Sequence, residues 1–448
     1  MRSRCRVGLL YAASHDEPIP GDSPSQGEHG TINYSTMSIS DLNVLYEAFR
    51  ASMKGSAWKE EPQRFEIDFL TEIIKLKKEI ETRTYTTSKG SEFILNERGK
   101  TRYIHGARMR DRVVRHAFCD HELGPKLTPY LIHNNGASQP GKGISFSRKM
   151  FEQDLHSYWI EHGTNEGYVG FVDLSKFYDN IQHDKIREAI GPKISEEGRW
   201  LLDEVLKSFE IDVSYMTDEE FASCMSWKYD SIKYHETVPE EAKTGEKWMK
   251  KSVDIGDQAS QDIGIFFPTP IDNYAKIVRG CKRYGRYMDD IYIIMEDKRE
   301  LRSVIEGIYE KAAELGLFIN EHKTHIMKLS GTFKYLQIRY SLKEDGRVIR
   351  RINPRAMARE RRKLKAYKHL MEEGRIGPDD IEEAFKSWLG TMMQYMSNQQ
   401  ITNIIDLYEE LFGRTPTWKK SNSRLRWLMA QRSTTSRSTA TTSSHRRR

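Results

Sequence analysis

The sequence predicts an α+β fold, and three stretches carry that expectation. Residues 170–174 are an apolar run closing on Asp173 and Leu174, the pattern of a buried strand. Residues 284–295 are a second apolar run interrupted by Asp289 and Asp290, as in a hairpin with an acidic tip. Helix-compatible segments start near Gln258 and end near Gly316, so strands and helices interleave. An antiparallel sheet with helices on one face is the expected layer.

With 448 residues, 38% of them hydrophobic, the chain can build a well-buried core and more than one lobe. No run reaches the roughly 18 to 20 apolar residues that a membrane span requires, so no membrane partner is expected. Arginines and a short apolar run over residues 7–13 faintly resemble a secretory signal, but the stretch that follows is polar and rich in Gly, Pro and Ser. A disordered leader over residues 1–36 is expected instead, with Met37 a candidate start. Cys5, Cys119, Cys224 and Cys281 lie far apart without C-x-x-C spacing, which speaks against a zinc knuckle or a disulfide framework and for a reducing, cytoplasmic setting. The net charge of +6 comes from 71 basic and 65 acidic residues, so local clustering matters more than the total.

Residues 40–53 place Leu42, Leu45, Tyr46 and Phe49 at helical spacing, and residues 65–80 do the same with Phe69, Leu70, Ile73, Ile74, Leu76 and Ile80. Residues 93–104 read as a hairpin turning at Asn96 to Gly99, with Lys100 and Arg102 on the returning strand. Asp111 is expected to cap a helix through Val113, Val114, Ala117 and Phe118. Residues 134–143, with three glycines and a proline, read as a joint between lobes, followed by a helix to about Trp159. Residues 211–253 are polar, rich in Lys and Glu, and look like an insertion with no assignable chemistry. Beyond Tyr340 the chain turns basic and helical to about Phe412, and a Ser-, Thr- and Arg-rich tail closes it.

Phosphoryl transfer assisted by two metal ions needs hard carboxylate ligands converging from rigid elements. A lone Asp at a strand end is usually a turn residue, but here two strand ends supply three: Asp173, and the adjacent Asp289 and Asp290. Paired acids at a hairpin tip are costly unless a cation neutralises them.

Phe171-Val172-Asp173-Leu174-Ser175-Lys176-Phe177-Tyr178-Asp179-Asn180-Ile181 and Arg286-Tyr287-Met288-Asp289-Asp290 resemble the two metal-binding motifs of reverse transcriptases. Between them, Ile255-Gly256-Asp257-Gln258-Ala259-Ser260-Gln261 is similar to that family's motif shaping the pocket for template base and nucleotide. Residues 315–324, residues 333–337, Arg110-Asp111-Arg112-Val113-Val114 and the Gly141-Lys142-Gly143 loop look like further segments of the family, in its order. The resemblance spans about residues 96–412. It departs from the family pattern at Pro268-Thr269-Pro270 and in the long stretch before the pocket motif.

The resemblance implies a right-hand polymerase with fingers in residues 37–165, a palm in 166–340, a helical thumb in 341–415, and a basic tail in 416–448. It implies an RNA-directed DNA polymerase using two Mg²⁺ ions, with Mn²⁺ an alternative, held by Asp173, Asp289, Asp290 and the Leu174 carbonyl. Lys323 becomes the general acid or charge partner of departing pyrophosphate. Tyr178 becomes the aromatic side chain under the sugar that excludes a 2′-hydroxyl, and Gln261 a contact to the nucleotide. Lys100, Arg102, Arg108 and Arg110 are candidates for the triphosphate. Arg355, Arg359, Arg361, Arg362, Lys363 and Lys365 are candidates for the template and primer backbone. Expected partners are an RNA template, a DNA or RNA primer and deoxynucleotides, with a dedicated non-coding RNA or accessory protein as further candidates. The overall pattern is similar to stand-alone bacterial or phage-borne members of diversity-generating, retron-like or anti-phage defence systems. Template-independent or self-primed synthesis, RNA synthesis and a non-catalytic RNA-binding scaffold are the rival readings.

Overall fold

A computed structural model describes residues 38–88, 90–97, 100–235, 238–418 and 424. The leader and most of the tail lie outside the described residues, as do Cys5 and the Lys100 side chain. The strands in chain order are β1 (Ser91–Glu97), β2 (Lys100–Gly106), β3 (Tyr168–Ser175), β4 (Ile211–Asp212), β5 (Trp248–Met249), β6 (Arg283–Tyr287), β7 (Asp290–Met295), β8 (Phe318–Ile319), β9 (His325–Lys328), β10 (Phe333–Tyr335), β11 (Ile338–Leu342) and β12 (Val348–Ile352). The chain is α+β, as expected, and divides into two compact units.

The larger unit comprises the described residues of 38–162 and 166–328. Its centre is an antiparallel sheet ordered β6-β7-β3-β8, with β9 also paired to β3. β3 is buried along almost its whole length, which is why residues 170–174 read as a continuous apolar run rather than an alternating one. A Cβ at Gly170 would meet Ile305 and Leu301 at 3.0 and 3.1 Å, so this glycine lets the helix Lys298–Glu314 lie close on one face. On the opposite face Phe151, from the helix Ile144–His162, packs edge-on against Tyr292 at 4.8 Å and near Phe171 at 6.2 Å. A second helix therefore covers part of the other face.

Several local expectations need correction. Residues 65–80 do not form one helix: the chain breaks at Asp68 between the helices Glu60–Ile67 and Phe69–Glu81. Ile73, Leu76 and Ile80 are buried, whereas Leu70 and Ile74 face solvent. Asp111 caps nothing. The helix Met109–Phe118 starts before it, and Asp111 sits fully buried, accepting from the Tyr85 hydroxyl at 2.8 Å and the Ser88 amide at 3.1 Å. Within the larger unit the glycine-rich loop is held to the sheet: Asn135 bridges to Arg286 of β6, and the Asn135 side chain donates to the Ile265 carbonyl at 3.0 Å.

Residues 211–253 are a folded module. β4 pairs with β5, and Ile211, Val213, Met216, Cys224, Tyr229 and Met249 form a core of their own. A capping box at Thr217 and Glu220 starts its helix Asp218–Ser226. The Lys251 ammonium is buried beneath it, donating to the carbonyls of Cys224 at 3.1 Å and Trp227 at 2.6 Å.

The smaller unit holds residues 163–165 and the described residues from Leu329 onward. The strands β10, β11 and β12 form a sheet, and the helices Pro354–Glu372, Pro378–Met392 and Asn398–Phe412 follow. The hairpin between β10 and β11 turns on Leu336 and Gln337, both at positive φ (41° and 73°), a conformation normally left to Gly or Asn. On the first helix Arg355, Arg359, Arg361, Arg362 and Lys365 are exposed and Lys363 is half-buried, while Ala356, Met357, Leu364 and Tyr367 face inward. Among the described residues no helix is long and apolar enough to cross a membrane.

Asp262, on the helix Gln258–Phe266, gives the larger unit a pH dependence. Burial first, and then the neighbouring Asp120 and Asp257 carboxylates, push its pKa from 3.8 up to about 7. The folded chain keeps this proton while the unfolded chain has lost it, so stability falls as pH rises from about 4 to about 7 and stays reduced above. Asp262→Asn removes that loss: its melting temperature is expected to exceed the wild type's by several degrees at pH 8 and to converge with it near pH 4, read by thermal denaturation across that range.

Candidate active site

The end of β3 and the β6–β7 hairpin meet by register. Asp173 and Asp290 are paired antiparallel partners, and the Leu174 amide donates to the Asp289 carbonyl at 3.2 Å. Side chains of directly paired residues share a face and lie close together, so Asp173 and Asp290 face the same side of the sheet. The hairpin turns through Met288 at φ 54°. A non-glycine residue in this left-handed region needs support from its surroundings.

Arg286 supplies that support. It is fully buried and donates to the equally buried Asp272 through Nε at 2.8 Å and Nη2 at 2.7 Å, to the Ile265 carbonyl at 2.7 Å, and to the Met288 carbonyl at 3.2 Å. The Tyr284 hydroxyl donates to the same Asp272 carboxylate at 2.7 Å. The backbone of Arg286 is engaged too: its amide donates to Asn134 and its carbonyl accepts from Gly136. One guanidinium thus ties the acidic turn to the pocket helix and to the short helix Thr269–Asn273. Sequence reasoning quoted Arg286 within a motif but gave it no role, and it missed Asp272 altogether, because nothing in the spacing marks the two as partners.

Lys323 lies on Asp173, with Nζ 2.8 and 2.9 Å from the two carboxylate oxygens. The turn that carries it wraps the same strand end: the Asn320 amide donates to the Asp173 carbonyl at 2.7 Å. Asp173 is nearly buried while Lys323 is half-exposed, so the ammonium sits at the mouth of the site.

Tyr178 opens the short turn Tyr178–Asn180 that follows β3. Its hydroxyl lies 3.6 Å from the Met288 sulfur. Burial raises the pKa of the phenol, the Asp289 and Tyr287 charges raise it further, and Arg102 lowers it. Tyr178, Asp289 and Arg102 are therefore electrostatic neighbours, brought together from three elements. Gly264 makes room for this: a Cβ there would stand 3.2 Å from the Tyr178 hydroxyl.

Asp257 caps the helix Gln258–Phe266 through the Ala259 amide and forms a buried ion pair with Arg115. Gln261, one turn on, accepts from the Ser138 hydroxyl at 2.9 Å, which places the glycine-rich loop beside the pocket motif. Arg108 and Arg110 sit elsewhere. Both line a cleft of about 540 Å³ with Glu61, Arg64, Asp68 and Glu72, and Arg110 pairs with Glu79 and lies over the Tyr85 ring. The basic helix residues belong to the smaller unit and are described there only.

With this geometry in place, the comparisons with known proteins identify part of the chain. Residues 259–340 match the reverse transcriptase (RNA-dependent DNA polymerase) family model. That segment contains Gln261, Asp272, Arg286, Asp289, Asp290 and Lys323; Asp173 and Tyr178 precede it. No curated protein matches the sequence. Among solved structures the chain is similar to telomerase from Candida albicans in complex with a TWJ fragment of telomeric RNA, at 12% identity and a TM-score of 0.39, over 82% of this chain and 66% of that one. This chain thus spans just under two thirds of the telomerase chain. The reverse transcriptase segment and the mixed helix and antiparallel-sheet architecture fit an α+β polymerase fold.

Metal binding is a matter of donor chemistry here. Among the described residues no three His, Cys, Asp or Glu side chains gather closely enough to hold an ion. Asp173 takes the Lys323 ammonium instead, a cation held by both carboxylate oxygens. Hard oxygen donors at paired strand ends suit a divalent ion such as Mg²⁺; in this structure the Asp173 charge is met by Lys323.

The Arg286–Asp272 pair yields a test. Arg286→Met leaves a buried, unpaired carboxylate and is expected to cost about 3–5 kcal/mol, whereas Arg286→Met with Asp272→Leu recovers most of that loss. Chemical denaturation of the single and double variants measures it. Equal destabilisation in both would show that the charge pairing is not what holds this region.

Proposed function

We propose that the chain is an RNA-directed DNA polymerase that adds deoxynucleotides to a primer 3′-hydroxyl. The observation that carries this reading is the strand register placing Asp173 opposite Asp290, beside the Asp289 turn, in a chain whose residues 259–340 match the reverse transcriptase family.

In this reading Asp173, Asp289 and Asp290, with the Leu174 carbonyl, hold two Mg²⁺ ions. When bound, the ions supply activation of the attacking hydroxyl and charge stabilisation on the transferring phosphate. The protein's own residues do the rest. Lys323 leaves Asp173 and offers its ammonium to the departing pyrophosphate. The Tyr178 ring bounds the sugar position and excludes a 2′-hydroxyl. Arg102 on β2 meets the triphosphate, joined by Lys100 of the same strand; Arg108 and Arg110, which line the separate acidic cleft, take no part in this contact. Gln261, oriented by Ser138, contacts the nucleotide. The basic helix with Arg355, Arg359, Arg361, Arg362, Lys363 and Lys365 binds the backbones of an RNA template and its primer independently of sequence, with strong salt dependence. A stand-alone bacterial or phage-type retroelement or defence enzyme, working in the cytoplasm with a dedicated RNA or protein partner, is the setting that the sequence pattern favours.

Incorporation of labelled deoxynucleotides with Mg²⁺, with and without a primed RNA template, tests the proposal. Asp289→Ala is expected to lower incorporation by on the order of 10²–10³-fold or more. Product that needs Asp289 but no template would instead indicate untemplated or self-primed synthesis, and a folded protein inactive under both conditions would favour the scaffold reading.

Tyr178→Ala is expected to raise ribonucleotide use relative to deoxynucleotide use by roughly tenfold or more, the scale of one lost steric contact. Primer extension with each nucleotide type measures this ratio, and an unchanged ratio removes the gate assignment.

A further inference from the structure

The module formed by residues 211–253 is fastened to the Tyr178 turn by hydrogen bonds from several of its segments. Its returning arm runs alongside the turn: the Val253 amide donates to the Tyr178 carbonyl at 3.1 Å, the Ser252 amide to the Ile181 carbonyl at 3.0 Å, and the His183 amide to the Lys250 carbonyl at 3.1 Å. Its middle grips the two side chains after Tyr178. The buried Asp179 carboxylate accepts from the Ser231 amide at 3.2 Å and the Ser231 hydroxyl at 3.1 Å. The Asn180 carboxamide exchanges two bonds with the Tyr229 backbone, accepting from its amide at 2.8 Å and donating to its carbonyl at 3.1 Å. Lys176, at φ 48°, forms an ion pair with Asp230 at 2.7 Å.

The same module touches the fingers hairpin. Its short helix Ser231–His235, which begins at the residue held by Asp179, lies against β2, the strand of Arg102. The module therefore reaches from the turn bearing Tyr178 to the strand bearing Arg102. The module is no grip for nucleic acid, because it carries nine acidic and six basic side chains and phosphate binding needs the opposite balance.

We infer that residues 211–253 act as a positioning element for the nucleotide pocket, with Asp179, Asn180 and Ser231 as positioning residues that hold the Tyr178 turn and the Arg102 strand at a fixed separation. The inference rests on the proposed function for its substrate, a deoxynucleoside triphosphate, but its mechanical content is independent of it. Polar side chains locked by a supporting shell hold a site to the tolerance chemistry needs, and small misplacements are costly.

Asn180→Ala and Ser231→Ala loosen the link without touching the catalytic carboxylates, and Asp179→Asn, which keeps an acceptor for the Ser231 amide, serves as the conservative control for Asp179→Ala. Hydrogen exchange by mass spectrometry reads the link without any turnover. The loosening variants are expected to exchange faster both in residues 178–183 and in β2, with β3, β6 and β7 unchanged. With primed RNA and deoxynucleotides they are expected to show a KM raised on the order of tenfold, kcat nearly constant, and weaker discrimination against ribonucleotides, with Asp179→Asn close to wild type. Faster exchange confined to residues 211–253, or unaltered KM and discrimination in an active enzyme, would overturn the inference. A wild-type protein inactive in every nucleotide assay would refute the proposed function, and the exchange result would still decide whether the turn and hairpin are coupled.

Discussion

The buried ion pair between Arg286 and Asp272 is the constraint on which the site depends. A buried charge pair is weak evidence for stability, because desolvation of both ions offsets much of their attraction. Its value here lies in geometry. Arg286 is planar and has five donors, and it spends them on one carboxylate and on the carbonyls of Ile265 and Met288. The Met288 carbonyl belongs to the residue with left-handed backbone immediately before the acid pair. The turn keeps a shape that a free hairpin would resist, because leaving the guanidinium unsatisfied in the interior would cost more.

Around this fixed turn the charges are arranged by depth. Asp173 is nearly buried and Lys323 half-exposed, so the carboxylate is held rigidly and the ammonium retains room to move. Tyr178 brings an apolar wall to the same place, and Gly264 admits it. Each part comes from a different element, and each element has an anchor of its own: the pocket helix Arg115 on Asp257, the strand end Asn320 on the Asp173 carbonyl, the turn Arg286, which also holds the pocket helix through Ile265. Such separate anchoring lets side chains from distant parts of the chain share one small volume.

The sheet and the acid pair were legible in the sequence because strand burial and turn chemistry are local properties. Residues 170–174 and 284–295 announce themselves by apolar runs ending on acids, and the structure adds only a residue or so at most ends. What was illegible depends on contacts between distant residues. Asp111 looks like a helix cap until Tyr85 and Ser88 claim its carboxylate. The glycine-rich loop shows nothing of its anchors in sequence; Asn135 bonds Ile265 and bridges to Arg286. The break at Asp68 falls inside an unbroken helical pattern, since local periodicity carries no information about where two helices must part to pack. Residues 211–253 read as an insertion without assignable chemistry, because a small core assembled from Ile211, Cys224, Tyr229 and Met249 has no periodicity over so short a span.

That separate core bears on how the chain tolerates change. Most of its buried side chains, from Ile211 to Met249, belong to a different cluster from those beneath β3 and β7, while Val253 at its end joins the larger one, so a cavity opened far from that end is weakly coupled to the main core. The seam between them is mostly polar and directional, made of Asp179, Asn180 and backbone groups, with Trp227 packed edge-on against Phe318 of β8 at 5.1 Å. Drift in the interior of the module is therefore nearly silent for the rest of the chain, while a single change at the seam is not. A graft that copied the seam and replaced everything inside it would inherit the module's place in the fold, which makes residues 211–253 a natural port for recombination.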